Sequence, residues 1–442
     1  MLTAETQSAI QPLVERLTDA RRHSDALFDI VRKERIFDRP IPERHRIIFY
    51  VGHLEAFDWN LLREVLSANI FHPEFDRLFA FGIDPVGGGL PNDQPSDWPS
   101  VAAVHEYVRG IRDRLDEKLA TDLDPRQYTR DGFGLDVLLN VAVEHRLMHL
   151  ETLAYMFHQL PLASKVKPPI PKVQPTSSIS SFPMIRIPAG SMTLGLPRRG
   201  NTFGWDNEFE SHTVDVPAFE IDQYMITNGQ FLEFMKQGGY DTRSLWSDDD
   251  WQWRTASGIT HPVFWRKAGD GWMYRGMFEE AELPLDSPAY VSHAEASAYA
   301  RWTGKALPNE EQWNRAAYGS PDEGRRSYPW GNQQPTAEFG NFDFTRWDPV
   351  PVNAHPQGRS AFGVEGMLGN GWEWTSTPFG PYPGFQPFPF YRGYSADFFD
   401  GKHFIMKGGS PRTAACMLRP TFRNWFQSHY QYVYAGFRCV NT

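Results

Sequence analysis

Two histidines, His145 and His149, stand four residues apart in the stretch VAVEHRLMHLETLAYM. On a helix that spacing puts both imidazoles on one face, about one turn apart. Steps of three and four along the same face give Leu138, Ala142, Thr152, Leu153 and Met156. The histidines therefore interrupt a stripe that would otherwise be apolar. Burying imidazoles is costly unless each finds a partner, and a shared metal ion supplies one. A third histidine, His53, lies in a second apolar run, FYVGHLEAFDWN, flanked at helical spacing by Phe49, Ala56 and Phe57. Three neutral imidazoles leave positions open on a divalent ion, which favours catalysis over a closed structural site. Imidazole suits Zn, Fe, Cu and Ni alike, so these donors leave the metal undecided. His72, His105, His158, His261 and His293 are expected in loops or on outer faces.

Four amphipathic runs must position these side chains, at about 3–31, 43–68, 100–120 and 135–158. Proline-, glycine- and aspartate-rich connectors separate them. The pattern predicts an antiparallel four-helix bundle over residues 1–160. Residues 161–183 hold six prolines and five serines with no helical period, which reads as a semi-extended linker. From 184 to 442 the texture changes. Short strand-like pieces at 184–188, 212–217, 404–407 and 435–439 lie among Gly, Asn, Asp, Pro and Trp. Helices are expected at 227–237 and at 293–303, the latter with Ser292 and Glu295 as a capping box.

The chain has 442 residues with a formal charge of −10, from 44 Lys plus Arg against 54 Asp plus Glu. That balance argues against a nucleic-acid footprint, which wants a basic face. Its 36 Gly, 35 Pro and 15 Trp suit a loop-rich, aromatic-pinned domain, and two cysteines exclude a disulfide scaffold. No stretch approaches the ~18 apolar residues of a membrane span. The N-terminus lacks a basic stretch followed by an apolar core, so no secretory signal and a cytoplasmic location are expected.

GHLEAFDWN (52–60) and HRLMHLET (145–152), set in a four-helix pattern, resemble the DinB-like domain of the sulfoxide synthases of thiohistidine biosynthesis. The second part carries IPAGSMTLG (187–195), FEIDQYMITNGQFLEFMKQGGY (219–240) and PAYVSHAEASAYARWTGKALPNEEQWNRAAYG (288–319). YPWGN (328–332), GMLGNGWEWT (366–375), KGGS (407–410) and AGFRC (435–439) follow in that order. These segments are similar to the formylglycine-generating-enzyme fold, a loop-rich, C-type-lectin-like domain. Together the two halves resemble the EgtB- and SenA-type non-haem iron enzymes over about the whole chain. The resemblance implies an α+β protein, a DinB-like four-helix bundle followed by a domain of the sulfatase-modifying-factor type. It implies Fe(II) on His53, His145 and His149. It also implies O2-dependent coupling of a sulfur or selenium donor to imidazole C2 of hercynine (Nα-trimethylhistidine).

RPTFRNWFQ (419–427) matches the family's substrate-binding segment. The match implies Asn424 and Trp425, with Arg423 and Phe426 beside them, as substrate-binding, and an aromatic face suits a quaternary ammonium. Met148 falls where the family commonly has Gln. Some members carry a catalytic tyrosine in the loop at 381–399; Tyr391 and Tyr394 are the candidates, unless Phe390 takes that place. Three departures bear on the donor. Phe426 replaces an acid, the stretch 80–99 holds no arginine (Arg77 is the nearest), and Met148 replaces Gln. A donor with two carboxylates needs counter-charges, so the departures point to a neutral selenosugar and a selenoneine-synthase-like reaction. The alternative is a sulfoxide synthase using γ-glutamylcysteine or cysteine. From another class, a non-catalytic metal-bound binding module also fits. Formylglycine generation is disfavoured, because Cys416 and Cys439 lack the close spacing of a copper-holding pair and are expected as plain buried residues.

Overall fold

The computed structural model describes residues 10–80, 91–120, 123, 128–169, 179, 181–200, 202–322, 324 and 326–441. The chain divides into two compact units, Met1–Pro168 and Pro169–Thr442.

Among its described residues the first unit holds four long α-helices and one short one. They are α1 (Gln11–Phe28), α2 (Ile47–Leu62), α3 (Pro73–Leu78, short), α4 (Val101–Leu119) and α5 (Leu135–His158). A short antiparallel pair, β1 (Thr129–Arg130) and β2 (Phe133–Gly134), precedes α5. α1 packs on α5, and α2 packs on both α4 and α5. Helices α2 and α5 are buried on almost every side, whereas α1 and α4 bury one stripe each. An all-round apolar helix belongs at a core and a one-sided helix at its surface. α1 has Pro12 in its first turn, where its missing N–H costs nothing; the expected residues 3–9 lie outside the described set. Its other end comes earlier than expected, at Phe28. The Arg32 N–H donates to the Ser164 carbonyl (3.0 Å) and the Val166 N–H to the Ile30 carbonyl (2.7 Å). The segment expected as linker therefore begins inside the first unit, with Ser164 and Lys165 buried; 170–178 and 180 lie outside the described residues.

In the second unit, strands β3 (Met184–Ile187), β6 (Phe219–Asp222) and β14 (Val440–Asn441) form one sheet, and β4 (Gly190–Leu194) pairs with β5 (His212–Val216). β7 (Trp265–Ala268), β8 (Gly271–Arg275) and β9 (Glu280–Glu282) form a meander. The site-bearing sheet runs β12 (Asn424–Gln427), β11 (His403–Gly409), β10 (Gly371–Pro378), β13 (Ala435–Gly436), with only β10 and β13 parallel. Helices α6 (Asn228–Lys236) and α8 (His293–Trp302) are capped by Thr227 and Ser292, the latter in the expected capping box with Glu295. Two nine-residue helices escaped the periodicity, α7 (Asp248–Ala256) and α9 (Glu310–Tyr318). Their caps, Ser247 and Asn309, were the available signal.

The motifs of this half are packing devices. In the segment GNGWEWT, Asn370 takes φ +64°, a conformation asparagine tolerates. Its side chain accepts from the Val350 N–H and donates to the Val350 carbonyl, both at 2.8 Å. Glu373, on β10, is ion-paired with Arg438 of the segment AGFRC (2.7 Å) and accepts from Trp313 Nε1 (2.8 Å). A buried charge pair of this kind is tolerated because its remaining atoms are hydrogen-bonded. Arg438 also donates to the carbonyls of Asp222, Gln223 and Glu365.

Three placements correct the expectations. His158 and His293 are buried rather than on loops or outer faces, because both lie on helix sides that face packed neighbours. Cys416 is exposed, while Cys439 is buried as expected.

Candidate metal centre and the aromatic site

Helices α2 and α5 bring His53, His145 and His149 together. Their ligand atoms all lie within 4.8 Å of one another, the one such group among the described residues. All three rings are at most 3% exposed. Nε2 of His145 and Nε2 of His149 are 3.1 Å apart. His53 Nδ1 donates to the Phe79 carbonyl at 2.7 Å. That bond fixes the tautomer and leaves Nε2 as a lone pair, the usual outer support of a metal-bound imidazole. His53 Nε2 is buried with no hydrogen-bond partner, as is His149 Nδ1. Burial holds the His53 pKa down at about 4 and those of His145 and His149 well below the usual value, so all three stand neutral, as ligands must.

Aromatic rings fix the imidazole planes. His145 lies parallel on Phe57, centroids 3.4 Å apart, and His53 stacks on Phe49 at 4.9 Å. Met148, next in sequence to His149, is the one residue between Val141 and His158 that is not fully buried. The unpartnered Nε2 of His53, the neutral donor set and the outer anchor fit a divalent transition ion.

The residues expected to bind substrate lie in the second unit. On β12 successive side chains alternate, which separates Trp425 from Asn424 and Phe426. Trp425 stacks on Phe379 (4.1 Å, 6° between planes) and meets Tyr394 edge-on at 5.5 Å and Phe398 at 5.7 Å. Phe426 stacks on Tyr430 at 4.8 Å. The Asn424 side chain accepts from the Trp425 N–H at 2.9 Å. Arg423 is committed within the protein. It is buried, paired with Glu310 (3.0 Å), and donates to the carbonyls of Asn207 and Gly380. It therefore fixes the start of β12.

Of the loop aromatics, Tyr394 is buried and stacks on Trp205 at 4.0 Å. Tyr391 lies 5.6 Å from Tyr394, and Phe390 stacks on Phe388 at 5.0 Å. Only Tyr394 of the three has a ring contact with Trp425 among the described contacts. Burial and the nearby Asp206 push the Tyr391 phenol up to about 12. Sequence reasoning missed Asp206. It accepts from Ser395 Oγ (2.6 Å) and from the Phe388 N–H, clamping the loop that carries both tyrosines. The signal was an acid in the aromatic segment FGWDNEF.

The fold and site define a two-domain chain, a helical domain with a three-histidine cluster joined to a tryptophan-pinned sheet domain. The DinB superfamily matches residues 16–153, and the Sulfatase-modifying factor enzyme 1-like domain matches residues 171–442. The hercynine oxygenase of Mycolicibacterium thermoresistibile is 39% identical over 446 aligned positions, covering 96% of this chain and 94% of that protein. That of Mycobacterium tuberculosis is 42% identical over 247 residues, 55% of this chain and 57% of that protein. Ergothioneine biosynthesis protein 1 of Neurospora crassa is 28% identical over 94% of this chain, which spans 56% of that protein. The chain belongs to the hercynine oxygenase family, and it is an oxidative enzyme. No helix among its described residues is long and apolar enough to cross a membrane.

Two predictions follow from this geometry. A Cβ at Gly52 would meet the Phe79 ring at 2.6 Å. Gly52→Ala should therefore destabilise the bundle by about 1–3 kcal/mol through overpacking, outweighing the helix-propensity gain of up to ~1 kcal/mol; urea unfolding followed by circular dichroism measures it. For Asp206, burial raises the carboxyl to about 6. A raised acid contributes stability that is present below about pH 4 and lost as pH rises through 6. Relative to wild type, Asp206→Asn should thus be more stable at pH 7 than at pH 4, by up to roughly 3 kcal/mol. Tryptophan fluorescence during urea unfolding at both pH values decides it; an equal difference at both removes the assignment.

Proposed function

We propose that this chain is an Fe(II)- and O2-dependent enzyme that joins selenium or sulfur to imidazole C2 of hercynine. The single observation that carries the reading is the convergence of His53, His145 and His149 in a chain related along its length to a hercynine oxygenase. Iron bound by these three imidazoles would supply activation of O2, which is the electron acceptor when C–H and chalcogen–H bonds are exchanged for a carbon–chalcogen bond.

The other roles belong to this chain's own side chains. Trp425 offers an aromatic face to the trimethylammonium group, with its other face covered by Phe379. Asn424 offers an amide for hydrogen bonding, and Arg423 holds both residues in place through Glu310. Phe426 presents an apolar ring stacked on Tyr430 where an acid would bind a donor ammonium. Tyr394, which meets Trp425 edge-on, is the better placed of the two tyrosines to hold or deliver a proton. Tyr391 backs it, and Phe390 packs on Phe388 rather than on either. Met148, half-buried next to His149, is the position at which this chain would meet the substrate with a thioether in place of the family's Gln.

The donor is a neutral selenosugar in this reading. Arg39 and Arg46, whose charges reach the described part of the 80–99 stretch, are both paired with Asp93; residues 81–90 lie outside the described set. Two of the nearby arginines are thus neutralised by Asp93, which leaves fewer counter-charges for a dicarboxylate. The relatives' names, hercynine oxygenase and ergothioneine biosynthesis protein 1, favour a second reading, a sulfoxide synthase with γ-glutamylcysteine or cysteine as donor.

A donor competition separates the two. Iron-loaded protein is given hercynine, O2 and equal amounts of selenosugar, thiosugar, cysteine and γ-glutamylcysteine, and products are read by mass spectrometry. The selenosugar adduct should dominate; preference for γ-glutamylcysteine defeats the donor assignment. Absence of O2 uptake with every donor defeats the enzyme reading. His149→Ala should abolish iron binding, measured by metal analysis, and leave the tryptophan fluorescence of the second unit unchanged.

A further inference from the structure

Beneath the three imidazoles lies a charge network that none of the proposed chemistry uses. Arg146, next in sequence to the ligand candidate His145, is fully buried. One of its terminal nitrogens lies 2.6 Å from Asp58, 2.9 Å from Glu55 and 3.1 Å from the backbone carbonyl of Leu54. Leu54 is next in sequence to His53. The other terminal nitrogen donates to Ser24 Oγ on α1 at 3.2 Å. Glu55 is further paired with Arg112 on α4 at 2.7 Å. One guanidinium therefore ties the backbone beside one imidazole to the backbone beside another, and its carboxylate partners extend the tie to every long helix of the bundle.

Such a network is poorly explained by stability. Buried ion pairs can be replaced by apolar residues of similar volume at little cost or even with a gain. Their better-attested use is to specify register. A metal site of three rings needs register, because the ligands sit on two helices that could otherwise slide or rotate against each other. We propose that Arg146, with Asp58 and Glu55, is a positioning group that sets the register of α2 against α5 so that the three imidazole nitrogens converge. The inference rests on the metal reading above for its function, though the positioning itself concerns the rings with or without an ion.

The test uses the full-length chain. In the double variant Asp58→Leu/Arg146→Met the closest charge pair is removed together, leaving Glu55 its pairing with Arg112. Its urea midpoint and helical circular dichroism should match wild type. Its affinity for Co(II), used as a spectroscopic probe, should fall about 10- to 100-fold, as on loss of outer-shell support, with an altered visible spectrum. In the metal-free protein, the side-chain 15N signals of His53, His145 and His149 should shift or broaden. Affinity within twofold of wild type, with unchanged imidazole signals, overturns the proposal. Should wild type bind no Co(II) while the imidazole signals still respond, the metal reading falls and the positioning stands. Arg146→Lys keeps the charge but loses the planar fork. It should give an intermediate loss, and it decides the matter if the double variant does not fold; wild-type affinity and signals in Arg146→Lys then overturn the proposal.

Discussion

Three imidazoles in the middle of an apolar bundle are the constraint on which the first unit is built. An unpaired buried polar group costs about 1–3 kcal/mol, and here three rings converge with no protein hydrogen-bond partner for His53 Nε2 or His149 Nδ1. The surroundings are arranged around that cost. Phe79 supplies a carbonyl from the end of α3, Phe49 and Phe57 fix two ring planes, and Arg146 holds the neighbouring backbone. Helices α2 and α5 are accordingly buried on almost every side. Three buried, neutral imidazoles are compatible with the oxidative chemistry of the family.

The second unit solves a different problem. Its strands are short and its loops long, so backbone groups must be satisfied by side chains rather than by ladders. Asn370 replaces a strand partner for Val350, Arg438 serves three carbonyls from one guanidinium, and Lys407 donates to the carbonyls of Pro420 and Phe422 just ahead of β12. Glu310 and Arg423 then hold the first residue of that strand. The aromatic cluster around Trp425 is the outcome of this stacking of supports. Asp206 repeats the device for the tyrosine loop, a buried carboxylate holding it at two points.

Much of this was legible in advance, for definite reasons. The histidines at i and i+4 announce themselves because they break an apolar stripe, and His53 does the same on another helix. Four long runs with helical period locate the bundle helices to within a few residues, except where Val31 and Val166 leave helix and linker to join the backbone of the first unit. The short helices α7 and α9 were missed because they open on acidic residues and carry too few aliphatic side chains for an apolar stripe to show, whereas the equally short α6 carries Phe231, Leu232, Phe234 and Met235. His158 and His293 were misplaced for the same reason that Arg146 and Asp206 went unremarked. A polar residue reads as a surface residue until its partner, distant in sequence, is in view. Glu55 and Asp58 in an otherwise apolar run were the overlooked signal that a buried cation had to exist.

The sequence by itself determined which residue types are present at which local spacing, and so the two halves, the helix-borne histidine pair, the aromatic-rich second domain and the family resemblance. Local spacing carries that information because a helix face and a strand face follow from the backbone period alone. Only the tertiary structure decided that His53 meets His145 and His149, that Arg423 serves Glu310 rather than a ligand, that Trp425 faces away from Asn424 and Phe426, and that Tyr394 is the tyrosine in contact with Trp425. Those outcomes depend on packing between elements far apart in the chain, where the free energy of burial chooses among partners that no local pattern distinguishes.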